Sequence, residues 1–537
     1  MIRISNLRVS IDNKKSLMTL AAKKLRIPPQ AVLGVVVVRR AVDARRKQNI
    51  IFVYTIDVKV SGKEGDIVKR AASSDVRITP AEEVFSPSLG TKKLMHRPVI
   101  IGFGPAGMVA GLILAKYGYA PIILERGASV EDRQKAIRHF EETGELDVRT
   151  NIQFGEGGAG TFSDGKLTTR VNDRRMKSVL EMFVAAGAPE EILYVNKPHI
   201  GTDKLCTMVK NIREEIKRLG GEVRFGLQVT DIRLTDKQVT AVEVNGGSEI
   251  DASVVLLGIG HSARDTYRML HQRGFAMEAK PFAIGVRIEH PQELIDVAQY
   301  GESSGHPALG AADYALVYHD KDNGRTAYSF CMCPGGQVVG ATSLEGGVVT
   351  NGMSVFARDS GIANSALVVN VNPDDCGDDV LSGADFQDKW EQTAYRVGGS
   401  NYYAPCQTVG DFLHGTDDTP FLVEPSYRPG VVRAKLTDCL PSFVTDTLRH
   451  ALPEFGRKIR GFDHAGAVMT GIETRTSAPV RIRRGDDLQS ENVSGLYPMG
   501  EGAGYAGGIM SAALDGLHTA EKIMAEYCPF NKVNTKE

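Results

Sequence analysis

Long apolar runs are missing from these 537 residues. None approaches the roughly 18 consecutive apolar residues that would span a bilayer, and Met1 to Lys15 alternates polar and apolar residues where a signal peptide would carry an apolar core. A cytoplasmic protein with no membrane partner is expected. Cysteine is scarce too. The seven present, Cys206, Cys331, Cys333, Cys376, Cys406, Cys439 and Cys528, are few for this length and odd in number, which argues against a secreted disulfide framework. No C-x-x-C pair occurs, so no zinc-site spacing is present and no metal is expected. Internal repeats and low-complexity tracts are absent as well.

What is present points to more than one folded unit. The length exceeds what a single core normally serves, and 42% of the residues are apolar, so two or three domains are expected. A net charge of −1 conceals two halves of opposite sign. Residues 1 to 97 carry 20 Lys/Arg against 8 Asp/Glu, a net of +12, and the remainder is −13. In the basic part, residues 3 to 9 read as a strand and Lys15 to Leu25 as a helix. Val32 to Val42 and Ile50 to Val60 read as a long hairpin, followed by a helix near Asp66 to Ala72 and a strand near Val76 to Thr79. This β-α-β-β-α-β order predicts a small ferredoxin-like α+β module over residues 1–90. Phe85 to Lys93 carries turn residues without periodicity and reads as a linker.

From Pro98 the chain reads strand (Val99 to Phe103), helix (Pro105 to Lys116), strand (Pro121 to Leu124), the opening of a parallel α/β sheet of Rossmann type. Gly102, Gly104 and Gly107, with Pro105 and Ala106 between them, form the glycine turn between that strand and that helix. This context gives the spacing its meaning: a tight turn, a backbone a pyrophosphate can approach, and a helix packed closely on the sheet. The helix N-terminus then faces phosphate with free N–H groups. Glu125, 23 residues beyond Gly102, stands near the offset at which a carboxylate accepts from ribose hydroxyls.

FAD and NAD share this fingerprint, and three further segments favour FAD. Phe154 to Lys166 holds glycines at 155, 157, 158, 160 and 165, a backbone that a large flat ligand can approach. Val254 to Ala263 is an apolar strand running into small residues, Gly260 among them. Gly495 to Ser511 is glycine-rich and leads directly into a helix. Thr161, Ser163 and Lys166 could donate to a flavin, or else satisfy the backbone of a tight turn. Arg126 and Arg133 could meet phosphate or adenosine, or else lie solvated on the surface. Val229 is counted with the cofactor contacts. The return strands place a discontinuous FAD domain at 95–279 plus 467–530, with a mainly antiparallel β cap inserted at 280–466.

On these motifs, the chain from about Pro98 to Tyr527 resembles a family of FAD-dependent dehydrogenases of unassigned substrate, within the glutathione-reductase-like, single-Rossmann class of flavoproteins. Its basic module is similar to that family's own extension. The resemblance implies non-covalent FAD, a ribityl contact from the Gly500-Glu501 pair, where the class more often has Asp, and a helix starting at Gly507, Gly508 and Ile509 aimed at the flavin pyrimidine edge. Such a helix end would stabilise charge on the reduced flavin.

Residues for chemistry are harder to read, because a flavin carries the electron transfer itself. No C-x-x-x-x-C occurs, which disfavours a disulfide reductase. Cys331 and Cys333 sit at a strand end and could face a ligand or simply be two small buried residues. His261 is a candidate proton donor, with Tyr505 and Arg475 behind it. No second glycine fingerprint appears, so NAD(P)H would dock transiently on the flavin, or electrons would come from another protein. An FAD-dependent oxidoreductase of a small molecule is expected. The alternatives are an RNA-modifying flavoenzyme using the basic hairpin residues Arg39, Arg40, Arg45, Arg46 and Lys47, and a flavin-binding redox sensor without catalysis.

Overall fold

The computed structural model describes residues 1–81 and 85–530. The basic module folds as four antiparallel strands with two helices. Its strands Ile2–Ser10, Val32–Asp43, Ile51–Val60 and Val76–Ile78 lie in the spatial order second, third, first, fourth, which is the ferredoxin-like connectivity. Ser16 caps the first helix, Leu17–Leu25, by accepting from Thr19 N, and Ala21, Ala22 and Leu25 turn into the core against Ile2, Ile4, Ile56 and Val58. The basic hairpin docks on the rest of the chain. Arg40 N donates to Tyr194 O at 2.7 Å, Asn196 N donates to Arg40 O at 2.9 Å, and the Arg40 guanidinium stacks over Phe52 and Tyr194. Arg39 binds the Asn196 amide oxygen at 2.9 Å, and Arg45 pairs with Asp43 at 2.6 Å.

The segment read as a linker is tied down. Gly90 N donates to Met524 O and Lys92 N to Glu526 O, at the end of the C-terminal helix. A Cβ at Gly90 would lie 2.2 Å from the Glu526 carbonyl, so no other residue fits there.

The second unit is built on a five-stranded parallel sheet in the order Leu496–Pro498, Val255–Leu257, Val99–Ile101, Ile122–Leu124, Glu222–Arg224. The central three strands are continuous apolar triplets because both faces are covered. The helix Pro105–Lys116 is buried almost all round, pressed between this sheet and the C-terminal helix Ile509–Glu526. The two helices touch where a Cβ at Gly516 would come within 2.1 Å of Ala106 O, a contact that only glycine allows.

A seven-stranded sheet forms the remaining layer. Its order is Val317–His319, Thr326–Cys333, Ile362–Val371, Phe282–Pro291, Val468–Glu473, Ala404–Thr408, Val431–Arg433, antiparallel except for the last pair. The boundary read at residue 466 therefore needs correction. Val468–Glu473 hydrogen-bonds to Phe282–Pro291 inside this sheet, so the antiparallel unit extends past the residue at which the sequence appeared to return to the parallel one. No helix among the described residues is long and apolar enough to cross a membrane.

Candidate functional site

A cavity of about 370 Å³ runs across the carboxyl ends of four parallel strands. Its wall takes Met499 to Glu501 from the edge strand, Gly258 to Ser262 from the next, Ile101 to Ala106 from the third and Leu124 to Arg126 from the fourth. In open α/β sheets this is where ligands bind. Two helix N-termini open into it. Within Pro105–Lys116 the first backbone bond is Met108 N to Gly104 O, and within Ile509–Glu526 it is Ala512 N to Gly508 O, so the amides of each first turn precede the helical ladder and face the cavity. The Gly102 carbonyl lies 2.0 Å from where a Gly107 Cβ would be, which is the close helix packing expected of that position. Gly104 and Gly158 face each other with a prospective Cβ contact of 3.0 Å, while Gly260, Gly507 and Gly508 have nothing within 4 Å of theirs. A diphosphate-bearing dinucleotide fits this cradle, since its donors are backbone amides at helix ends and side chains would fill the space it needs.

The residues named from the sequence divide here. Gly102, Gly104, Pro105, Ala106, Glu125, Arg126, Gly158, Gly160, Ser163, Lys166, Val229, Gly260, His261, Cys331, Gly500, Glu501, Gly507, Gly508 and Ile509 all line the cavity. Arg133 does not. It is wholly buried and donates to the carbonyls of Asn151, Ile152, Glu156 and Gly158 at 2.7–2.9 Å, clamping the glycine loop from behind. Neither the phosphate contact nor the solvated surface expected for it is found. Gly157 and Thr161 stand one layer back, in contact with each other, and Cys333 lies behind Cys331. Ser163 satisfies the turn, donating to Gly160 O at 2.7 Å and accepting from Gly165 N at 3.0 Å. Glu125 lines the cavity and also ties three loops together, its carboxylate accepting from Phe103 N, Gly127 N and Gly155 N at 2.9–3.0 Å. Arg126 pairs with Asp265 and lies flat on the Phe154 ring.

At its other end the cavity meets the seven-stranded sheet through Phe330, Cys331, Glu473, Arg475 and Thr476, with Asn351 of the separate strand Thr350–Met353 beside them. Sequence reading gave Cys331 and, weakly, Arg475 among these. Behind them Arg287, fully buried, reaches Glu473 at 2.7 and 3.1 Å, Asn351 and Asn364 at 3.0 Å, and the Cys331 carbonyl at 2.9 Å. Burial pushes the Glu473 carboxyl up, but two contacts to a guanidinium that does not lose its proton hold it ionised. Arg475 is held likewise by Glu391 at 2.7 and 2.9 Å. Burial pushes Glu501 up to about 7, partly offset by Lys280, so a carboxyl able to hold or release a proton near neutrality faces the cavity.

His261 changes role. Burial, with Arg475 and Arg264 nearby, holds its imidazole down at about 3, so near neutral pH it is uncharged and has no imidazolium proton to give. Its Nδ1 shares a hydrogen bond with Ser262 Oγ, which donates to Gln153. A stability consequence follows from the sign of the shift. Between about pH 6.5 and 3 the unfolded chain binds a proton at this position and the folded chain does not, so stability falls as pH drops through that window. His261→Asn is expected to flatten the loss between pH 7 and pH 5 in denaturant midpoints. Equal slopes for variant and parent would contradict the assignment.

A parallel α/β sheet with a glycine turn, two crossing helices and a cavity at its strand ends is thus joined to a large antiparallel sheet. Residues 281–476 match the family described as FAD-dependent protein, C-terminal domain-like, and residues 1–59 match a domain of unknown function (DUF8436). The chain belongs to the same family as an uncharacterized protein of Clostridium beijerinckii (strain ATCC 51743 / NCIMB 8052), with 48% identity over 529 residues, 98% of this chain and 99% of the relative. Among solved structures it is similar to CtdE in complex with FAD (13% identity, 81% of this chain and 87% of that one, TM-score 0.33). It is also similar to L-proline dehydrogenase from P. horikoshii (14%, 83% and 99%, TM-score 0.35) and to glycine oxidase from Bacillus cereus ATCC 14579 (11%, 80% and 98%, TM-score 0.32). Likeness at this level carries nothing about substrate.

Proposed function

We propose that the chain is an oxidoreductase working through non-covalently bound FAD. The supporting observation is the cavity itself, which receives two helix N-termini across the ends of four parallel strands and ends on the charged inner face of a second sheet. When bound, the flavin supplies the electron transfer. The chain's part is positioning. The amides of Gly104 and Ala106 receive the diphosphate, and the Gly507–Ile509 helix start presents its positive end to the ring. Phe330, Met499 and Ile509 exclude water from the inner end, and Glu501 holds a proton at its carboxyl near neutrality.

With a single glycine fingerprint in the sequence, any NAD(P)H donor would dock transiently on the flavin face, the alternative being electrons from another protein. The hairpin contacts through Arg39 and Arg40 support docking of the basic module on its own acidic body over delivery of RNA. Anaerobic titration of the purified, flavin-loaded protein with NADH, then NADPH, then pooled small-molecule metabolites tests the oxidoreductase reading. Loss of the oxidised flavin spectrum with at least one donor is expected. A loaded protein that no donor reduces would favour a non-catalytic sensor.

A further inference from the structure

One feature of the cavity wall goes unused in that reading. The strand Thr326–Cys333 is regular up to Phe330, which pairs with Ala366. Its register then slips before Cys333, which pairs with Asn364. Inside the slip Cys331 takes a left-handed backbone, φ 43°, which residues with a side chain rarely adopt. The irregularity turns Cys331 into the cavity wall beside Phe330, while Cys333 stays wholly buried. The Cys333 thiol points back at its neighbour, with Sγ 3.3 Å from the Cys331 carbonyl oxygen.

Spacing permits a bond between them. Residues two apart are about 6.6 Å apart at Cα even in a fully extended strand, which already lies within the roughly 4.4–6.8 Å that disulfides span. The charged groups facing the pair are Arg287 from the adjacent central strand, Lys166 and Asp164 from the glycine loop, Glu473 from the strand beyond and Glu501 from the edge of the parallel sheet. Cys333 S–H, Arg287 and Lys166 pull the Cys331 thiol well below its ordinary range, and the same arrangement pushes Cys333 up. A thiolate partly exposed to a cavity, with a protonated thiol against it, has the reactivity of an exchanging cysteine and its resolving partner.

We propose that Cys331 and Cys333 form a redox-active thiol pair that exchanges with low-molecular-weight disulfides. The Cys331 thiolate attacks one sulfur of the disulfide, forming a mixed disulfide and releasing the other half as a thiolate. Cys333 then gives up its proton and attacks the Cys331 sulfur, so that the Cys331–Cys333 bond forms and the second half leaves. The two protein thiols are oxidised, the small disulfide is reduced to two thiols, and the two protein protons end on those thiols. Nothing in this step depends on the flavin, so it stands or falls separately from the FAD reading.

The test uses the full-length purified protein with oxidised glutathione as probe, read by intact mass and peptide mapping. The parent is expected to lose the mass of two hydrogens, with the linkage mapped to Cys331 and Cys333. Cys333→Ser is expected to stop at a glutathione adduct on Cys331, and Cys331→Ser to give neither product. Iodoacetamide at slightly acidic pH is expected to label Cys331 at least tenfold faster than any of the other six cysteines. Flavin content and melting temperature of each variant are measured alongside, so that a failure to fold is distinguished from a failure to exchange. An adduct spread over several cysteines, or a folded Cys333→Ser protein that accumulates no adduct on Cys331, would overturn the proposal.

Discussion

Gly508→Val is expected to deprive the chain of its flavin while leaving the fold intact. Gly508 is the residue before the C-terminal helix, its φ of 169° is extended backbone that valine adopts without strain, and a Cβ there meets nothing within 4 Å. Exposed in the protein alone, it lines the cavity beside Gly507 and Ile509. The valine would stand in the space a ring needs against the helix end. Losing the modest capping value of glycine should cost no more than about 1 kcal/mol of stability. Flavin affinity should fall at least tenfold, which corresponds to about 1.4 kcal/mol. Equilibrium dialysis with FAD, alongside a denaturant melt, measures both. Unchanged affinity in a folded variant would mean that the helix end is not where the ring sits.

The second large effect concerns the inner wall. Arg287→Ala is expected to cost about 3–5 kcal/mol, because it leaves Glu473 buried and ionised without its partner and removes the donors that hold Asn351, Asn364 and the Cys331 carbonyl in place. The double variant Arg287→Met, Glu473→Leu should recover part of that loss, since a buried ion pair replaced by apolar groups of similar volume is often tolerated. Urea unfolding of parent, single and double variants reads the difference. A single-variant loss below about 1 kcal/mol would show that the pair is more hydrated than its burial implies.

The two regions differ in how far sequence alone could reach them. The cradle was legible because its requirements are local. Gly102, Gly104 and Gly107 lie within one turn between a strand and a helix, and all six strands and helices of the ferredoxin-like module show their own periodicity. Glu125 stands at the cavity where its offset from Gly102 puts it, but that offset cannot say that three loop amides also converge on its carboxylate. Arg133 gave no signal of burial, because its helix, Val130–Thr143, is strongly polar and an arginine in it reads as surface. The inner wall was beyond reach. Arg287 and Glu473 are 186 residues apart and meet only through the pairing of two strands whose register shifts at Gly285. A hint existed in the ionisable Arg287, Glu289 and His290 within the otherwise apolar run Phe282–Pro291, a pattern that marks buried polar groups. The domain boundary at 466 failed for a related reason: Val468–Glu473 is as apolar as a parallel strand, and nothing local says which sheet it joins.

The most direct measurement is the identity and amount of chromophore that the natively purified chain releases on denaturation. About one FAD per chain, released free of protein, is expected from a cradle built of backbone amides and helix ends. A protein that carries no flavin, and takes up none when FAD is added to it, would contradict the assignment of this cavity.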